Sequence, residues 1–358
     1  MSKSLKVAKK GASSLSKIAF YLGATMMLLR LLRSRNAMDF RGRVVVITGG
    51  SRGLGLNLAR QLASEGAKLG LISRDEAELS RAKEILEALG APVFTVACDL
   101  RNQNKAEEAV NQVAAHFGAL DVLINNAGII SVGPLEHMNQ GDFDDAMKLH
   151  LWAPLWCSRA AIPHLKKSGG GRIVNIASFG GQVAMPHMAS YAASKFALVG
   201  LSDALRHELR KDDILVTTVC PGIMRTGSHV MATFKGHQQA EYRVFKLMAA
   251  LGGYDAPAAA KLILDAAKYG DGHLTFPLPV QWMTWAYQLF PNTAGLILGL
   301  ATRFMPGPTD DAEGDALLSG HDLEAEMPPS MLTRRADRAV VPNNEMNGHS
   351  MEANHRRE

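Results

Sequence analysis

The sequence has little cysteine and no internal repeat. Its three cysteines, Cys98, Cys157 and Cys220, are odd in number, far apart and set in apolar stretches. This pattern excludes a disulfide framework and a clustered zinc site, and it predicts buried thiols in a reducing compartment, without a metal. The lack of a repeat period excludes solenoid and fibrous architectures.

The sequence also lacks an N-terminal apolar run long enough for a secure membrane span. Ile18–Leu29 is uncharged but only twelve residues long, whereas a spanning helix needs roughly 20. The residues that follow offer only a poor signal-peptide cleavage site. We interpret the run as an interfacial helix or a short anchor, and a disordered leader is the alternative.

Charge is present in ordinary amount but is divided unevenly. Of a net charge of +5, residues 1–43 contribute +9 (ten Lys and Arg, one acid) and residues 306–358 contribute −6 (eleven acids, five Arg), which leaves the middle near +2. Apolar residues interleaved with basic ones favour an anionic membrane surface over nucleic acid, so we expect no nucleic-acid partner. The expected location is cytoplasmic, at the membrane periphery or anchored there.

From Val44 onward, short β-branched runs alternate with amphipathic stretches, which predicts an α/β fold with a Rossmann-type, doubly wound parallel sheet. The predicted strands are Val44–Thr48, Leu69–Ser73, Val93–Ala97, Val122–Asn125, Ile173–Ile176, Leu215–Val219 and His273–Phe276. The predicted helices are Leu54–Ser64, Glu76–Leu89, Lys105–Phe117, Phe143–Lys166 and Tyr191–Leu209.

Two regions depart from this alternation. Residues 224–250 form an insertion that could cover a pocket at the strand ends. Leu274–Thr302 is uncharged but interrupted by prolines, which predicts two short apolar helices near Gln281–Phe290 and Thr293–Arg303. These helices fit a lipid interface, a dimer face or a pocket wall. The predicted organisation is a basic arm (1–39), a catalytic domain (40–276), an apolar segment (277–305) and a disordered acidic tail (306–358).

A glycine-rich turn follows the first strand directly. In the segment Thr48–Gly55, Gly49 permits a tight exit from the strand, Gly53 lets the backbone approach a pyrophosphate, and Gly55 lets helix and strand pack closely. The spacing is GxxxGxG. Because a strand precedes the glycines and a helix follows them, the segment predicts a dinucleotide-binding turn.

The second strand predicts which dinucleotide is preferred. It ends in Ser73-Arg74, with no acid at the place where a carboxylate would bind the ribose hydroxyls. Arg74, helped by Arg52, could clamp a 2′-phosphate, which favours NADP(H) over NAD(H). The alternative is that Arg74 is a solvated residue at a strand end.

Three residues suggest acid–base chemistry. Ser178 ends the fifth strand, Tyr191 follows thirteen residues later, and Lys195 lies four residues beyond Tyr191 on the same helix face. A neighbouring ammonium would lower the pKa of Tyr191, which could then exchange a proton with a carbonyl or alcohol oxygen. Ser178 would hydrogen-bond the same oxygen. The alternative is an ordinary helix surface with a solvated Lys.

With these residues assembled, the chain resembles the short-chain dehydrogenase/reductase family over roughly residues 40–276. The resemblance also includes Asp99, the NNAG segment Asn125–Gly128, and Pro221-Gly222 with Thr226. It implies that Asp99 contacts the adenine, that Thr226 and its neighbours meet the nicotinamide amide, that Lys195 holds the nicotinamide ribose, and that the protein forms a homo-oligomer. The expected cofactor-binding residues are Gly49, Ser51, Arg52, Gly53, Leu54, Gly55, Arg74, Asp99, Leu100, Asn126, Ala127, Gly128, Tyr191, Lys195, Pro221, Gly222 and Thr226.

One position departs from the family pattern. The family has an Asn in the long helix after the fourth strand that supports a proton relay to the Lys, and this sequence has His150 there. His donates and accepts hydrogen bonds, so we expect an altered relay in which His150 joins the catalytic residues. The alternative is a helix His satisfied by a backbone group.

The expected function is therefore NADP(H)-dependent interconversion of a ketone and a secondary alcohol. The apolar insertion and the uncharged segment after it suggest an apolar or lipid-like substrate. Two alternatives remain at this stage: a reductase of a soluble aldehyde or quinone, and a membrane-associated NADP(H)-binding protein with little turnover.

Overall fold

The computed structural model describes residues 33–325 and 330–345, together with Tyr21, Thr25 and Met27. A seven-stranded sheet forms its centre, and all pairs of neighbouring strands run parallel. We number its strands β1 (Val44–Thr48), β2 (Lys68–Ser73), β3 (Val93–Ala97), β4 (Val122–Asn125), β5 (Gly171–Ile176), β6 (Ile214–Pro221) and β7 (His273–Phe276). Their spatial order is β7-β6-β5-β4-β1-β2-β3.

The direction in which successive strands are added to the sheet reverses between β1 and β4. In a doubly wound sheet, the ligand usually binds in the crevice at the carboxyl ends of the strands on either side of such a reversal. The predicted fold class is confirmed, and every predicted strand is present. β2, β5 and β6 extend further than predicted. The β1, β4, β5 and β6 strands are buried along their whole length, because helices cover both faces.

The helices between and after these strands pack on the two faces. They are α1 (Gly53–Ser64), α2 (Glu76–Glu87), α3 (Gln103–Phe117), α4 (Gln140–Met147), α5 (Ala153–Lys167), α6 (Ala189–Leu209), α7 (Gln238–Gly252) and α8 (Ala256–Tyr269). One apolar core contains residues of α1, α2 and α8, and the other contains residues of α3 and α5. The three cysteines are buried and unpaired, as predicted.

The single helix predicted over Phe143–Lys166 is divided in the structure. A five-residue π-helical turn, Lys148–Trp152, separates α4 from α5. Such turns insert an extra residue into the hydrogen-bond ladder and are frequent at functional sites. The turn contains His150, which is fully buried.

The insertion 224–250 forms a small core of its own. A three-stranded sheet of two-residue strands, Ser131–Val132, Thr233–Phe234 and Leu318–Ser319, lies beside α7. Phe234, Tyr242 and Leu323 are buried together in this cluster. The C-terminal residue Leu323 therefore helps to complete the region that the sequence identified as an insertion.

The uncharged segment after β7 forms the two expected helices, α9 (Leu278–Leu289) and α10 (Pro291–Ala301). Thr284 of α9 is buried and hydrogen-bonds to Gln182, whereas α10 has no buried residue. Among the described residues, no helix is long and apolar enough to cross a membrane. The apolar run Ile18–Leu29 lies outside the described residues except for Tyr21, Thr25 and Met27, which are exposed.

The structure differs from the expectation of a disordered tail after Met305. Two short helices, α11 (Gly320–Glu324) and α12 (Arg334–Asp337), are present, and Asn343 and Glu345 are buried. The physical reason is tertiary: Lys246 of α7 is buried and lies 2.7 Å from a carboxylate oxygen of both Glu324 and Asp337.

The end of the basic arm is fixed on α8. Arg33 lies 2.8 Å from carboxylate oxygens of both Asp265 and Asp271, and its guanidinium stacks 4.1 Å from the ring centroid of Tyr269. The backbone amide of Met38 donates to the carbonyl of Lys268. The chain therefore enters the domain of the seven-stranded sheet at a defined place.

Candidate active site

The candidate site lies at the carboxyl edge of the sheet, where β1 and β4 are joined. The Thr48 hydroxyl at the end of β1 accepts hydrogen bonds from the amides of Asn126 (3.0 Å) and Ala127 (3.1 Å). The Asn126 side-chain amide donates to the carbonyls of Thr48 and Gly49. Asn126, which was expected to line the cofactor, therefore also fixes the glycine-rich turn against β4.

The glycine-rich turn has the close approaches that its sequence predicts. Gly49 has a φ of +63°, and a Cβ added there would lie 2.9 Å from Ala127 Cα. A Cβ on Gly55 would lie 2.1 Å from the Gly49 carbonyl oxygen. The turn leads directly into α1, and the amide end of that helix favours an anion. These features fit a dinucleotide.

The residues expected around the adenosine end are brought to the same edge. Arg74 is exposed at the end of β2, and its charge contributes to lowering the pKa of Asp99, which is lowered mainly by the side-chain hydrogen bond from Arg101. The Arg101–Asp99 distance is 2.8 Å. Leu100 is buried. Asp99 therefore contacts a cation of its own chain at the place where adenine contact was expected.

Arg52 has an acidic neighbour that the sequence did not reveal. Its guanidinium lies 3.2 Å from a carboxylate oxygen of Glu78, and the Ser51 hydroxyl donates to the other oxygen of Glu78 at 2.9 Å. Glu78 is buried in the first turn of α2. Arg52, one of the two residues predicted to bind the 2′-phosphate, therefore forms an ion pair with Glu78 of its own chain.

Ser178 and Tyr191 form the centre of the other part of the site, the candidate catalytic half. Ser178 follows β5, and its hydroxyl accepts a hydrogen bond from the amide of Gly180 at 3.0 Å. Burial raises the pKa of Tyr191, and a hydrogen bond with Ser178 partly opposes this rise. The pKa of Tyr191 is therefore raised and not lowered as the sequence predicts, because desolvation is the largest influence on it.

Lys195 is directed to the backbone of β5 and lies beside the Tyr191 ring. Its Nζ donates to the Ile176 carbonyl at 2.8 Å and lies 5.8 Å from the Tyr191 ring centroid. Burial lowers the pKa of Lys195 to about 8. A lysine with this pKa can exchange a proton near neutral pH.

Both ring nitrogens of His150 are occupied. Nε2 accepts from the Ile129 amide at 3.1 Å, and Nδ1 lies 2.8 Å from the Ser194 hydroxyl, which donates to the Tyr191 carbonyl. The Nδ1–H therefore donates to Ser194. Burial, followed by the charge of Lys195, lowers the pKa of His150 well below its ordinary value. This geometry fits the alternative, a helix His satisfied by a backbone group, here the Ile129 amide, and Ser194 is its second partner.

Comparison with known proteins agrees with this arrangement. The family model for short chain dehydrogenase matches residues 43–235. The chain belongs to the short-chain dehydrogenase/reductase family. It is 35% identical over 190 residues to the ketoacyl reductase HetN of Nostoc sp., covering 53% of this chain and 66% of that one.

Two further relatives of this short-chain dehydrogenase/reductase differ in the substrates that their names state. The 11-beta-hydroxysteroid dehydrogenase-like 4A of Arabidopsis thaliana is 36% identical over 204 residues, covering 56% of this chain and 68% of the relative. The solved structure of L-sorbose reductase from Gluconobacter frateurii, complexed with NADPH and L-sorbose, has a TM-score of 0.61 and 25% identity, covering 67% of this chain and 97% of that one. The chain is thus an oxidoreductase of a family that binds nicotinamide cofactors.

The segment after β6 completes the edge of this dehydrogenase/reductase. The Gly222 amide donates to the Phe276 carbonyl at 2.8 Å, which joins the Pro221-Gly222 turn to β7. Thr226 is buried, and a Cβ added to Gly53 would lie 3.8 Å from Thr226 Cβ. A Cβ added to Gly128 would lie 3.0 Å from His150 Nε2 and 3.7 Å from Lys195 Nζ, so Gly128 lies close to both side chains.

Two groups of residues near the site are not among the predicted ones. One is a buried hydrogen-bonded chain, in which Asn125 donates to Asn175 and Asn175 donates to Ser202. The other is the C-terminal trio Asn343, Asn344 and Glu345, which contacts the glycine-rich turn. The first was signalled by polar residues in otherwise apolar strands, whereas no pattern in the sequence indicated the second.

Proposed function

We propose that this protein interconverts a ketone and a secondary alcohol with NADP(H), using Tyr191 as the acid/base. The observation that carries the proposal is the convergence of three side chains. Ser178 Oγ and the Tyr191 ring are neighbours, since a Cβ added to Gly180 would lie 3.5 Å from the first and 3.1 Å from the second. Lys195 Nζ lies 5.8 Å from the Tyr191 ring centroid, at the edge of the sheet that also carries the glycine-rich turn. This combination matches the expected acid–base chemistry.

The chain's own residues would orient the substrate and move one proton. When bound, the nicotinamide cofactor supplies or accepts a hydride. Ser178 would hydrogen-bond the substrate oxygen and hold it beside the Tyr191 phenol. Because burial raises the pKa of Tyr191, the phenol retains its proton at neutral pH and can give it to a carbonyl oxygen during reduction. In the reverse direction the phenol oxygen must receive the alcohol proton.

Lys195 and His150 would support that proton transfer in different ways. Lys195, with a pKa of about 8, can restore the proton to Tyr191 and can bind ribose hydroxyls. His150 is better described as a positioning residue than as a proton carrier, because its two nitrogens hold the Ile129 amide and the Ser194 hydroxyl. Through Ser194 it fixes the backbone of Tyr191.

Several residues would hold the cofactor. Arg74 and Arg52 are the candidates for the 2′-phosphate, and their charges support the preference for NADP(H). The turn residues Gly49, Gly53 and Gly55 would face the diphosphate. Asp99 and Leu100 would lie at the adenine, Asn126, Ala127 and Gly128 would line the cofactor, and Pro221, Gly222 and Thr226 would meet the nicotinamide amide.

An apolar, lipid-like substrate is supported by the surroundings of the site. The partly exposed apolar residues Ile130, Met188 and Ile223 pack against the buried core of the insertion, and each lies within three positions of a site residue in the sequence. The names of two relatives also specify ketoacyl and hydroxysteroid chemistry. Both observations favour a substrate with a large apolar body.

The decisive experiment follows NADPH oxidation over a panel of steroid, long-chain 3-ketoacyl and short-chain ketones, with and without detergent. We expect turnover of at least one apolar ketone and a much lower rate with NADH. Turnover confined to small polar ketones, aldehydes or quinones would contradict the substrate assignment. Absence of turnover with normal NADPH binding would favour the binding-only alternative.

We also propose that the protein associates peripherally with membranes through α9 and α10. Trp282 is 62% exposed and Leu296 is 71% exposed, and neither helix contains a charged residue. Trp at headgroup depth and Leu below it are typical of interfacial helices. Vesicles that contain phosphatidylserine should carry the protein upward in a flotation gradient. The double variant Trp282→Ser, Leu296→Ser should remain at the bottom, whereas Leu89→Ser, at an exposed site after α2, should float.

Homo-oligomerisation through the long helices is a prediction of the family resemblance. Size-exclusion chromatography with light scattering measures the molar mass directly. A mass of one chain would contradict the prediction.

A further inference from the structure

We propose that the C-terminal segment 333–345 is a built-in competitor of the dinucleotide. In its docked position it occupies the outer side of the glycine-rich turn, and it must leave before NADP(H) can bind. This inference rests on the proposed dinucleotide site. It goes beyond that proposal because it makes access to the site dependent on a segment of the same chain.

The segment uses hydrogen-bonding groups that an incoming phosphate would need. The Gly53 amide, at the start of α1, donates to the Asn343 carbonyl at 2.8 Å. The Asn343 side chain accepts from Asn57 at 2.7 Å, and the Asn344 side chain donates to the Ser51 carbonyl at 2.9 Å and accepts from Arg81 at 2.8 Å. The first-turn amides of a helix are the groups that bind phosphate in dinucleotide sites.

Glu345 occupies the space beside the turn. A Cβ on Gly53 would lie 2.6 Å from Glu345 Oε1, and a Cβ on Gly227 would lie 2.8 Å from Val340 Cα. The segment therefore fills the gap between the glycine-rich turn and the loop of Thr226. This is the gap in which the proposed site requires the diphosphate to lie.

The charges of the docked state would also oppose a bound dinucleotide. Arg52 faces the carboxylates of both Glu78 (3.2 Å) and Glu345 (3.6 Å). Glu345 is 3% exposed, and its Oε2 has no hydrogen-bond partner among the described residues. A diphosphate placed beside these acids would be repelled, whereas removal of Glu345 would leave Arg52 available to a phosphate.

The segment is held in place by an ion-pair latch, which we define as His229, Lys246, Glu324 and Asp337. Lys246 Nζ lies 2.7 Å from Glu324 and 2.7 Å from Asp337, and His229 Nε2 lies 3.8 Å from Asp337. The His and the two acids are close enough to suggest a metal site. Because the Lys246 ammonium already lies against both carboxylates, we interpret the cluster as the latch.

The first experiment compares the full chain with a chain that ends at Glu324. The shortened chain retains the Lys246–Glu324 pair, so the buried ammonium keeps a carboxylate partner. NADPH and NADH are each titrated while the fluorescence of the reduced nicotinamide is measured. We expect NADPH to bind the shortened chain roughly tenfold more tightly. This factor applies if the segment is undocked in about one molecule in ten, because only undocked molecules of the full chain can then bind NADPH.

Point variants guard against a folding defect in the shortened chain. Asn344→Ala removes contacts of the docked segment and should lower the Kd for NADPH by a smaller factor. Glu345→Gln resembles the protonated side chain, which docks more strongly, and should raise the Kd for NADPH at neutral pH. Glu313→Gln is the matched control, because Glu313 is exposed and belongs to the same C-terminal region. Its Kd should equal that of the unaltered chain.

Hydrogen exchange supplies a readout that does not depend on activity. Saturating NADPH should increase exchange in peptides covering residues 333–345 of the full chain. Equal Kd values for all chains, with unchanged exchange, would overturn the inference and leave the proposed function intact. Weaker binding by the shortened chain would also overturn it, since the segment would then be a cover that retains the cofactor. Failure of every chain to bind either dinucleotide would overturn both proposals.

Discussion

The two halves of the sheet's carboxyl edge are organised in different ways. In the catalytic half, Ser178, Tyr191 and Lys195 lie within eighteen consecutive positions, and β5 and α6 place them directly. In the dinucleotide half, the glycine-rich turn contacts residues up to 293 positions away, such as Asn344 with Ser51. The comparison teaches that the candidate catalytic residues are placed by nearby sequence, whereas the glycine-rich turn is contacted by distant parts of the chain.

The halves also differ in charge. Lys195 is buried at 4% exposure beside the neutral side chains of His150 and Tyr191. Around the glycine-rich turn, Arg52 faces two buried acids, Glu78 and Glu345. Substitutions in the catalytic half should therefore change rate, and those in the dinucleotide half should change binding and its dependence on pH.

The largest expected effect separates the halves completely. Tyr191→Phe removes the proposed acid/base and should lower kcat by about 10³-fold, with the Kd for NADPH unchanged. Steady-state kinetics and fluorescence titration measure the two quantities. Tyr269→Phe, beside Arg33 at the far end of α8, serves as the control and should retain full activity. Retention of activity by Tyr191→Phe would contradict the assignment.

A smaller effect is expected from the adenosine end. Arg74→Ala should weaken NADPH binding by about 10- to 100-fold, the range for a lost charged hydrogen bond, because the 2′-phosphate would lose its contact. NADH binding should change little. Parallel titrations with both dinucleotides give the ratio directly. An equal loss for NADPH and NADH would mean that Arg74 does not recognise the 2′-phosphate.

The dependence of NADPH binding on pH should come from the dinucleotide half. Burial raises the pKa of Glu345 to about 7, and the charged or titratable groups facing it are Arg52, Glu78 and His321. A docked Glu345 holds its proton more tightly than a free one, so docking is strongest at acid pH and weakens as the pH rises toward 7.

The apparent affinity of the full chain for NADPH should therefore increase a few-fold between acid and neutral pH, relative to the chain that ends at Glu324. Dividing the affinity of the full chain by that of the shortened chain cancels the effect of 2′-phosphate titration, because this effect is the same for both chains. Glu345→Gln should abolish the trend. A ratio that stays constant with pH would remove Glu345 from the docking equilibrium.

The smallest effect is expected at His150. Asn also presents one acceptor and one donor, so His150→Asn should change kcat by no more than about threefold, equivalent to about 0.7 kcal/mol. His150→Leu leaves the Ile129 amide without its acceptor and should lower the melting temperature. A large loss of kcat in His150→Asn, with the fold intact, would restore a direct part in proton transfer.

Much of the fold was predictable because its elements repeat a local pattern. The buried strands β1 and β4 have the predicted bounds, since β-branched runs flanked by helices leave little freedom. The π-helical turn at Lys148–Trp152 was not predicted, because its residues include neither glycine nor proline and therefore fit an ordinary helix. The order of the C-terminal segment was missed for a related reason, since its stability comes from Lys246, which lies far from it in the sequence.

For the candidate site, the positions of the main residues were predictable, but their protonation and some of their partners were not. Ser178, Tyr191 and Lys195 converge as expected, but their protonation depended on burial that the sequence did not show. Glu78 was overlooked because an acid in the first turn of a helix is ordinary for a helix dipole.

Because segment 333–345 is attached to the protein that it occupies, its local concentration does not fall when the protein is diluted. A soluble inhibitor is lost from an assay at low enzyme concentration, but a tethered one is not. The fraction of molecules ready to bind would then be independent of how much enzyme is present. It would respond only to the supply of dinucleotide and to whatever draws the C-terminus away from the glycine-rich turn.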